Sequence, residues 1–492
     1  MSIHQFNDRV FCMRFLFLTR LLLCLILASL TQNLLAEAKL PDIGGSANIE
    51  LSPAKEAELG RILLTELRRR LPISNDPELS QYIQALGTRI TSGGLNSNFQ
   101  FTFLLVINPS INAFALPGGI IVINSGLLTL AHQESELASV LAHEIAHVSQ
   151  RHIARNFEND KSFSVISALT LLGSILAAVY NIDLGQAALM TSQAGIHQAR
   201  LSYSRSFEME ADRLAMQLLV SSGIDPLGMS QFFKRLHKHT QLNRGKIPEF
   251  LSTHPLTLDR LSEAETRARQ YRGPFTSNSS DFDYTKARTL AMSNNSSSLI
   301  DYLREKSRSS VGLSDPERYT YALVLSREGK HKRALRHLGK IAIHADNELT
   351  VKLAEAQINI AMEQANVARA SLESLDKIYP QNLPVTYYLA TSLIKEDQAR
   401  QALEKLDQLG HVYQQNPAID KLKAKAADKA GIPWRSHESL GDYYAAHGQY
   451  GAAMEQIQLA LRSHNINSSS KARIEARKAQ LIDIKQQREQ FK

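Results

Sequence analysis

The stretch Leu141-Ala142-His143-Glu144-Ile145-Ala146-His147 decides the fold expected of this chain, because it contains the pattern H-E-x-x-H. Apolar residues recur around it with helical periodicity, which predicts a helix from Glu134 to about Arg155. On a helix, His143 and His147 share one face, and both imidazoles can reach a single zinc ion. Glu144 then lies beside the metal, where it can take a proton from activated water. We therefore predict two metal ligands and a catalytic base. The alternative is a solvated helix face with incidental histidines.

A catalytic zinc site needs a third protein ligand, and the segment Glu208-Met209-Glu210-Ala211-Asp212 offers one. A metzincin pattern is excluded, because Gln150 and Ile153 stand where that pattern has glycine and histidine. Glu208 and Asp212 share a helix face, so Glu208 is predicted to bind the metal. Asp212 is expected to point toward the same cavity, as a group that orients a ligand or handles a proton, whereas Glu210 points elsewhere. The alternative is an acidic amphipathic helix with ordinary surface charges.

The residues before the motif predict helices and a small sheet. Two helices are expected between Pro53 and Gly87, with a break at Asn75-Asp76-Pro77. Alternating apolar residues from Phe99 to Asn124 predict strands, with a turn at Pro117-Gly118-Gly119. An edge strand here could hold an extended substrate by backbone pairing. A hairpin with a purely structural role is the alternative.

Three further features leave their interpretation open. The segment Ser162–Ile182 carries no charged residue, and it fits packed helices over the cleft, a membrane-facing or lid surface, or a membrane span. His254, in Ser252-Thr253-His254-Pro255, fits either a loop histidine with an ordinary hydrogen bond or a group that closes the open zinc position. His152 lies about 180° around the continued helix from His143, so it is not expected to bind this metal.

The last third of the chain has a period of 34 residues. Alanine and leucine recur at this spacing, as Ala334 and Leu338, Ala368 and Leu372, and Ala402 and Leu406. This period is typical of tetratricopeptide repeats, which stack into a solenoid with a concave binding surface. The clearest unit contains Leu440, Gly441 and Tyr444, and an extra helix near Pro417–Lys429 is expected to interrupt the stack. An irregular helical domain is the alternative.

Composition describes a globular chain. Of 492 residues, 43% are apolar and 21% charged, which excludes collagen-like, low-complexity and polytopic membrane proteins. The net charge of +8 is spread along the chain, so no nucleic-acid partner is expected. Both cysteines, Cys12 and Cys24, lie near the N-terminus. Once that segment is removed, a metal must be held by histidine and carboxylate.

The N-terminus predicts secretion. Arg9, Arg14 and Arg20 precede the apolar run Leu21–Leu30, and Ala36-Glu37-Ala38 supplies small residues for cleavage. The run is shorter than the ~20 residues that a spanning helix needs. We therefore predict a cleaved signal peptide and a periplasmic protein, with an uncleaved anchor as the alternative.

The combination of H-E-x-x-H, E-x-x-A-D and the upstream Asn112–Gly119 segment resembles the M48 family of zinc metallopeptidases. The signal peptide and the repeats make it similar to periplasmic members that act on outer-membrane β-barrel proteins. The resemblance implies His143, His147 and Glu208 as ligands of one zinc ion per subunit, with Glu144 as base and Asp212 as proton donor. It implies a mainly α fold, in which a helical zincin-type metalloprotease domain with a small β-sheet precedes an α-solenoid of tetratricopeptide repeats.

The expected organisation is a signal peptide at 1–36, an M48-like domain at 37–272, a linker at 273–315 and repeats at 316–484. The resemblance implies cleavage of misfolded outer-membrane proteins and help in their assembly through contact of the repeats with the barrel assembly machinery. Peripheral contact with a membrane is expected if residues 162–182 form a membrane-facing surface. Two alternatives remain. One is a scaffold or chaperone with a latent metal site, and the other is a membrane-bound protease with residues 162–182 in the bilayer.

Overall fold

The computed structural model describes residues 52–94, 100–156, 204–243, 247–293, 297–410, 413 and 416–490. The predicted signal peptide at 1–36 and the uncharged segment 162–182 lie outside these residues. Within the described residues, no helix combines the length and the apolar character that crossing a bilayer requires.

The first part of the structure is helical around one small sheet, as the sequence predicts. Its helices are α1 (Pro53–Arg70), α2 (Pro77–Ser92), α3 (Ser125–Leu130), α4 (Glu134–Ser149), α5 (His152–Asn156), α6 (Arg205–Ser221), α7 (Leu227–Leu242), α8 (Glu249–Thr253) and α9 (Leu258–Ala268). Its strands are β1 (Thr102–Val106), β2 (Ala113–Leu116) and β3 (Ile120–Asn124).

The sheet has the order β1-β3-β2, with β1 parallel and β2 antiparallel to β3. The turn between β2 and β3 contains Gly118 and Gly119 at φ values of 82° and 79°, which side chains other than glycine rarely adopt. Both faces of the sheet are covered. One face packs on Leu59, Leu63 and Leu67 of α1, and the other joins the core formed with α2 and α4. Burial on both faces explains the almost continuous apolar sequence of β3.

The predicted helix from Glu134 to Arg155 is two helices in the structure. Helix α4 ends at Ser149, and α5 begins at His152. Arg151 lies between them in the left-handed region at φ 53°, and its guanidinium pairs with Glu56 of α1 at 3.2 Å. The chain therefore turns sharply after α4, and positions beyond Ser149 no longer follow its helical faces.

Residues 273–315, expected to form a linker, include helices α10 (Ser280–Met292) and α11 (Ser297–Lys306). Phe282 of α10 belongs to the core around α4, whereas Tyr284 and Ala287 pack with the first repeat helices. The same helix thus contributes to two hydrophobic cores. The domain limits themselves remain predictions.

Arg288 of α10 is buried where the repeats meet the first part of the chain. Its guanidinium pairs with Asp76 at 2.7 Å and Glu78 at 2.8 Å, at the start of α2. It also donates hydrogen bonds to the hydroxyl oxygens of Tyr319 at 3.0 Å and Tyr388 at 2.8 Å. A buried cation with this many partners fixes one arrangement of the surrounding helices, because losing any partner leaves charge uncompensated.

The C-terminal helices form the predicted α-solenoid. They are α12 (Asp315–Arg327), α13 (His331–Leu338), α14 (Glu348–Ala361), α15 (Ala365–Ile378), α16 (Leu383–Lys395), α17 (Ala399–Asp407), α18 (Pro417–Lys429), α19 (Pro433–Ala446), α20 (Tyr450–Arg462) and α21 (Ser468–Gln490). The period that the sequence shows in alanine and leucine reappears in these elements as a regular alternation of helix and turn.

Left-handed residues mark the period in the backbone. Gly329, Glu363, Asp397, Gly431 and Asn465 all have φ between 58° and 76°, and each stands 34 residues after the one before. The extra helix expected at Pro417–Lys429 is present as α18. It does not interrupt the stack, because the left-handed turn recurs on schedule after it and α18 pairs with α19.

Candidate metal centre

Helix α4 carries the two histidines into the centre of the domain. The helix is buried from Glu134 to Val148, because the sheet, α6 and α7 cover it on several sides. His143 is 4% exposed and His147 is 1% exposed, so neither is a surface histidine. The incidental, solvated helix face considered from the sequence is therefore wrong.

Glu208 of α6 faces both histidines. The Nε2 atoms of His143 and His147 lie 3.0 Å apart. The Glu208 carboxylate lies 3.4 Å from Nε2 of His143 and 3.3 Å from Nε2 of His147. Tetrahedral zinc holds its nitrogen and oxygen ligands at about 2.0–2.1 Å, so ligand atoms in such a site stand about 3.3 Å from one another. The distance between the two Nε2 atoms, and the distance from each Nε2 to a Glu208 oxygen, Oε2 for His143 and Oε1 for His147, are close to this spacing.

His254 is a fourth donor beside these three residues. It follows α8, and its Nδ1 lies 3.2 Å from Nε2 of His143 and 3.0 Å from the Glu208 carboxylate. Its ring stacks on Phe250, with centroids 4.7 Å apart. Donor atoms of His143, His147, Glu208 and His254 all lie within 4.8 Å of one another, and all four residues are buried. The structure thus places this histidine in the cluster rather than in a separate loop contact.

Glu144 lies beside the four donors. Its carboxylate is fully buried, and His254 Nε2 stands 3.4 Å from one of its oxygens. Burial raises the pKa of Glu144 above its usual range, although His254, His143 and the Ala115 amide of β2 counteract this. A carboxylate with a raised pKa next to a metal site suits general-base chemistry near neutral pH.

Asp212 holds His143 from behind. Its carboxylate accepts a hydrogen bond from Nδ1 of His143 at 2.9 Å, on the opposite side of the ring from Glu208. Arg260 of α9 binds both oxygens of Asp212, at 2.7 and 2.9 Å. Burial would raise the pKa of Asp212, but hydrogen bonds from His143 and Arg260 hold it below its usual range. These contacts favour an orienting role for Asp212 over proton donation.

Arg260 is a site residue that the sequence does not reveal. Besides Asp212, it pairs with the Glu208 carboxylate at 2.6 Å, and its side chain is buried. Its position, about 50 residues from either carboxylate, matches no motif or helical spacing. It balances two acids that would otherwise stand together in the interior.

His152 lies close to the cluster, contrary to the expectation from helical spacing. Its Nδ1 is 2.9 Å from Nδ1 of His147, and its Nε2 is 3.4 Å from Glu210. The expectation failed because the helix ends before His152, and the turn at Arg151 brings the ring back under His147. His152 is not among the four donors that converge, so the prediction that it is no ligand agrees with its position.

The charges of the site are arranged for a cation. Burial would lower the pKa of His143, but the Glu208 and Asp212 carboxylates raise it to about 10. Burial also holds the pKa of His147 well below its usual range. The two carboxylates thus favour the charged form of His143, whereas burial favours the neutral form of His147. Two imidazoles and a carboxylate in the interior form the donor set of catalytic zinc sites.

Comparisons with known proteins also identify this chain as a metallopeptidase. Residues 75–268 match peptidase family M48, and residues 359–426 match a tetratricopeptide repeat family. The beta-barrel assembly-enhancing protease of Escherichia coli is 33% identical over 458 residues, which are 92% of this chain and 92% of that protein. A protein of Vibrio cholerae named putative beta-barrel assembly-enhancing protease is 40% identical over 278 residues, 56% of this chain and 57% of that protein.

A second similarity covers a smaller part of the chain. The mitochondrial metalloendopeptidase OMA1 of Arabidopsis thaliana is 34% identical over 153 residues, 31% of this chain and 28% of that protein. The match to peptidase family M48 and these relatives identify a metalloendopeptidase, and the similarity to the Escherichia coli protein extends over nearly the full length of the chain. This chain belongs to the M48 family of metallopeptidases, in the group of the beta-barrel assembly-enhancing proteases.

Proposed function

We propose that this chain is a periplasmic zinc endopeptidase in which His143, His147 and Glu208 bind one zinc ion per subunit. The observation that carries the proposal is the convergence of buried donor atoms from His143, His147 and Glu208 at about the spacing of zinc ligands, with Glu144 beside them. When bound, zinc supplies a Lewis acid for the scissile carbonyl and lowers the pKa of water. Glu144 would take a proton from the attacking water and deliver it to the leaving amine, and Asp212 would keep His143 in orientation.

The sheet edge offers a place for the substrate backbone. Strand β2 pairs only with β3 among the described strands, and its Ala115 amide faces Glu144. An extended peptide added to this edge would bring a peptide bond to the metal centre, with main-chain hydrogen bonds as the source of affinity. Such binding selects unfolded or edge-exposed chains rather than a particular side chain.

The relatives' names support a proposed substrate class, and the N-terminal sequence supports a proposed compartment. We infer that the substrates are misfolded or misassembled outer-membrane β-barrel proteins. The repeats at 316–484 then dock on the barrel assembly machinery, and the enzyme assists assembly in a chaperone-like way. The signal peptide at 1–36, the M48 domain at 37–272 and peripheral contact with the membrane are parts of the same proposal.

A second role is favoured by His254. Because its Nδ1 lies 3.2 Å from Nε2 of His143 and 3.0 Å from the Glu208 carboxylate, His254 would be a fourth protein donor to a bound zinc ion, in the place that catalysis needs for water. A protein held in this state acts as a scaffold or chaperone through its repeats, and proteolysis is latent. Release of His254, by substrate or by an assembly partner, would switch it to cleavage.

The test compares the full mature chain with its Glu144→Gln variant. Zinc content is measured by metal analysis, and cleavage is measured on an unfolded outer-membrane β-barrel protein. The variant should retain zinc and lose cleavage by about 100-fold or more, because no group replaces the base. Glu263→Gln, on the surface of α9, is the matched control and should cleave normally. Equal cleavage by wild type and Glu144→Gln would refute the proposal. Assembly activity that survives Glu144→Gln would favour the scaffold role.

A further inference from the structure

The site contains one close contact that the proposed mechanism does not use. His152 is fully buried behind His147, and its Nδ1 faces Nδ1 of His147 at 2.9 Å. The other nitrogen of His152 faces Glu210 at 3.4 Å, and Arg155 binds both oxygens of Glu210 at 3.1 Å. Two imidazoles, a carboxylate and a guanidinium therefore form one line that leads away from the metal centre.

We propose that His152 is a positioning residue that fixes the proton and the ring orientation of His147, with Glu210 fixing His152 in turn. The proposal rests on the proposed function, in that Nε2 of His147 is taken as a metal ligand. His152 does not touch the metal or the substrate. It acts through His147, as Asp212 acts through His143.

The proton positions follow from the contacts. A neutral imidazole that binds metal through Nε2 carries its proton on Nδ1. Since Nδ1 of His147 then donates, Nδ1 of His152 must accept, and the proton of His152 must lie on its Nε2. That nitrogen faces the Glu210 carboxylate, which is an acceptor. Each contact in the line thus has one donor and one acceptor, and the opposite assignment would place two donors or two lone pairs against each other.

Packing holds the ring in this orientation. His152 stacks on Phe207, with centroids 4.4 Å apart and an angle of 10° between the planes. The Arg155 guanidinium also lies over the Phe207 ring, 4.6 Å from its centroid. The left-handed Arg151 directly precedes the short helix α5, whose first residue, His152, contacts His147. The turn after α4 therefore places the His152 ring against His147.

The two ligand histidines have partners of different charge. His143 is backed by a carboxylate that Arg260 neutralises in part, whereas His147 is backed by a neutral imidazole. A carboxylate raises the basicity of its imidazole more than a neutral acceptor does. The arrangement limits the negative charge around the metal while still fixing both rings.

The test uses two variants of nearly identical shape. His152→Asn keeps an acceptor at the position of Nδ1, whereas His152→Leu has the same branching and no acceptor. Zinc affinity of the full mature chain is measured by competition with a chelator, and the absorption spectrum is measured with Co²⁺ in place of zinc. His152→Leu should raise the zinc dissociation constant about 10- to 100-fold and alter the Co²⁺ bands. His152→Asn should restore most of the affinity and the wild-type spectrum.

A structural role alone predicts a different pattern. In that case both variants would shift the unfolding of the metal-free protein equally and leave the spectrum unchanged. Wild-type affinity in both variants, or equal weakening in both, would overturn the proposal. Should neither variant fold, Glu210→Leu replaces them, since Glu210 is partly exposed. It should weaken zinc binding about tenfold, and wild-type affinity in this variant would equally overturn the proposal.

His147→Ala separates this proposal from the proposed function. If His147→Ala binds zinc as tightly as wild type, the metal site itself has been assigned wrongly. If His147→Ala loses zinc but His152→Leu binds it like wild type, the site stands and only the positioning role fails.

Discussion

Replacing Arg260 with methionine tests whether the metal centre is held together by charge. The guanidinium pairs with Glu208 at 2.6 Å and binds the two Asp212 oxygens at 2.7 and 2.9 Å. Arg260→Met keeps much of the side-chain volume and removes all three contacts. Two buried carboxylates then stand near each other without their cation. Removing one partner from a buried ion pair costs about 3–5 kcal/mol, so the metal-free protein should lose stability of that order.

Bound zinc should reduce the loss of stability caused by Arg260→Met. A bound divalent cation neutralises Glu208, which is one of the two carboxylates that Arg260 serves. Stabilisation by zinc should therefore be larger in Arg260→Met than in wild type. Arg260→Lys should lie between the two, because an ammonium group keeps the charge but not the paired hydrogen bonds to Asp212.

The assay is urea unfolding of the full mature chain, with EDTA and with zinc. Arg269→Met is the matched control, because Arg269 directly follows the same helix at its C-terminal end and its side chain is 69% exposed. This control should unfold like wild type in both conditions. A loss below about 1 kcal/mol for Arg260→Met, or equal stabilisation by zinc in the variant and wild type, would refute the charge-balance argument.

Three other predictions concern protons and packing. Burial raises the pKa of Glu78 from 4.5 to about 7, so between these pH values the folded protein binds more protons than the unfolded chain, and its stability falls as the pH rises. Glu78→Gln should make the free energy of unfolding less dependent on pH in this range. An unchanged slope would contradict this. Zinc uptake at pH 7 should release roughly one proton, because His143 must become neutral to bind, and calorimetry in two buffers of different ionisation enthalpy should give different heats. A Cβ on Gly87 would stand 2.3 Å from the Phe103 ring, so Gly87→Ala should cost about 1–3 kcal/mol, whereas Gly451→Ala, which meets no atom within 4 Å, should be neutral or stabilising by thermal unfolding.

The part of the site that depends on helical spacing could be predicted from the sequence. His143 and His147 share a face wherever α4 is helical, and Glu208 shares a face with Asp212 on α6. Their convergence is then the natural way to complete a metal site. Arg260 could not be predicted in this way, since its role arises from the packing of α9 against α6, and no short-range pattern encodes that contact.

His152 shows where local reasoning fails. The predicted orientation of its side chain assumed a continuous helix, but the left-handed residue Arg151 changes the direction of the chain after Ser149. The repeats show the opposite case. Their spacing was predicted from alanine and leucine. The predicted interruption of the stack at α18 was wrong, because the left-handed turn that recurs in each unit does not depend on those two residue types. Gly431 keeps the turn where the apolar signature weakens.

The position of Arg288 affects how shortened forms of the chain should be interpreted. Its two tyrosine partners lie in the repeats, while its two acidic partners open helix α2. A chain that stops before residue 316 removes Tyr319, Tyr388 and also Gln357, which accepts a hydrogen bond from this guanidinium at 3.1 Å, and it uncovers the apolar side of α10. Lost proteolysis in such a fragment would therefore report a damaged interior. Removal of surface charges on intact repeats is the cleaner way to ask what they recruit.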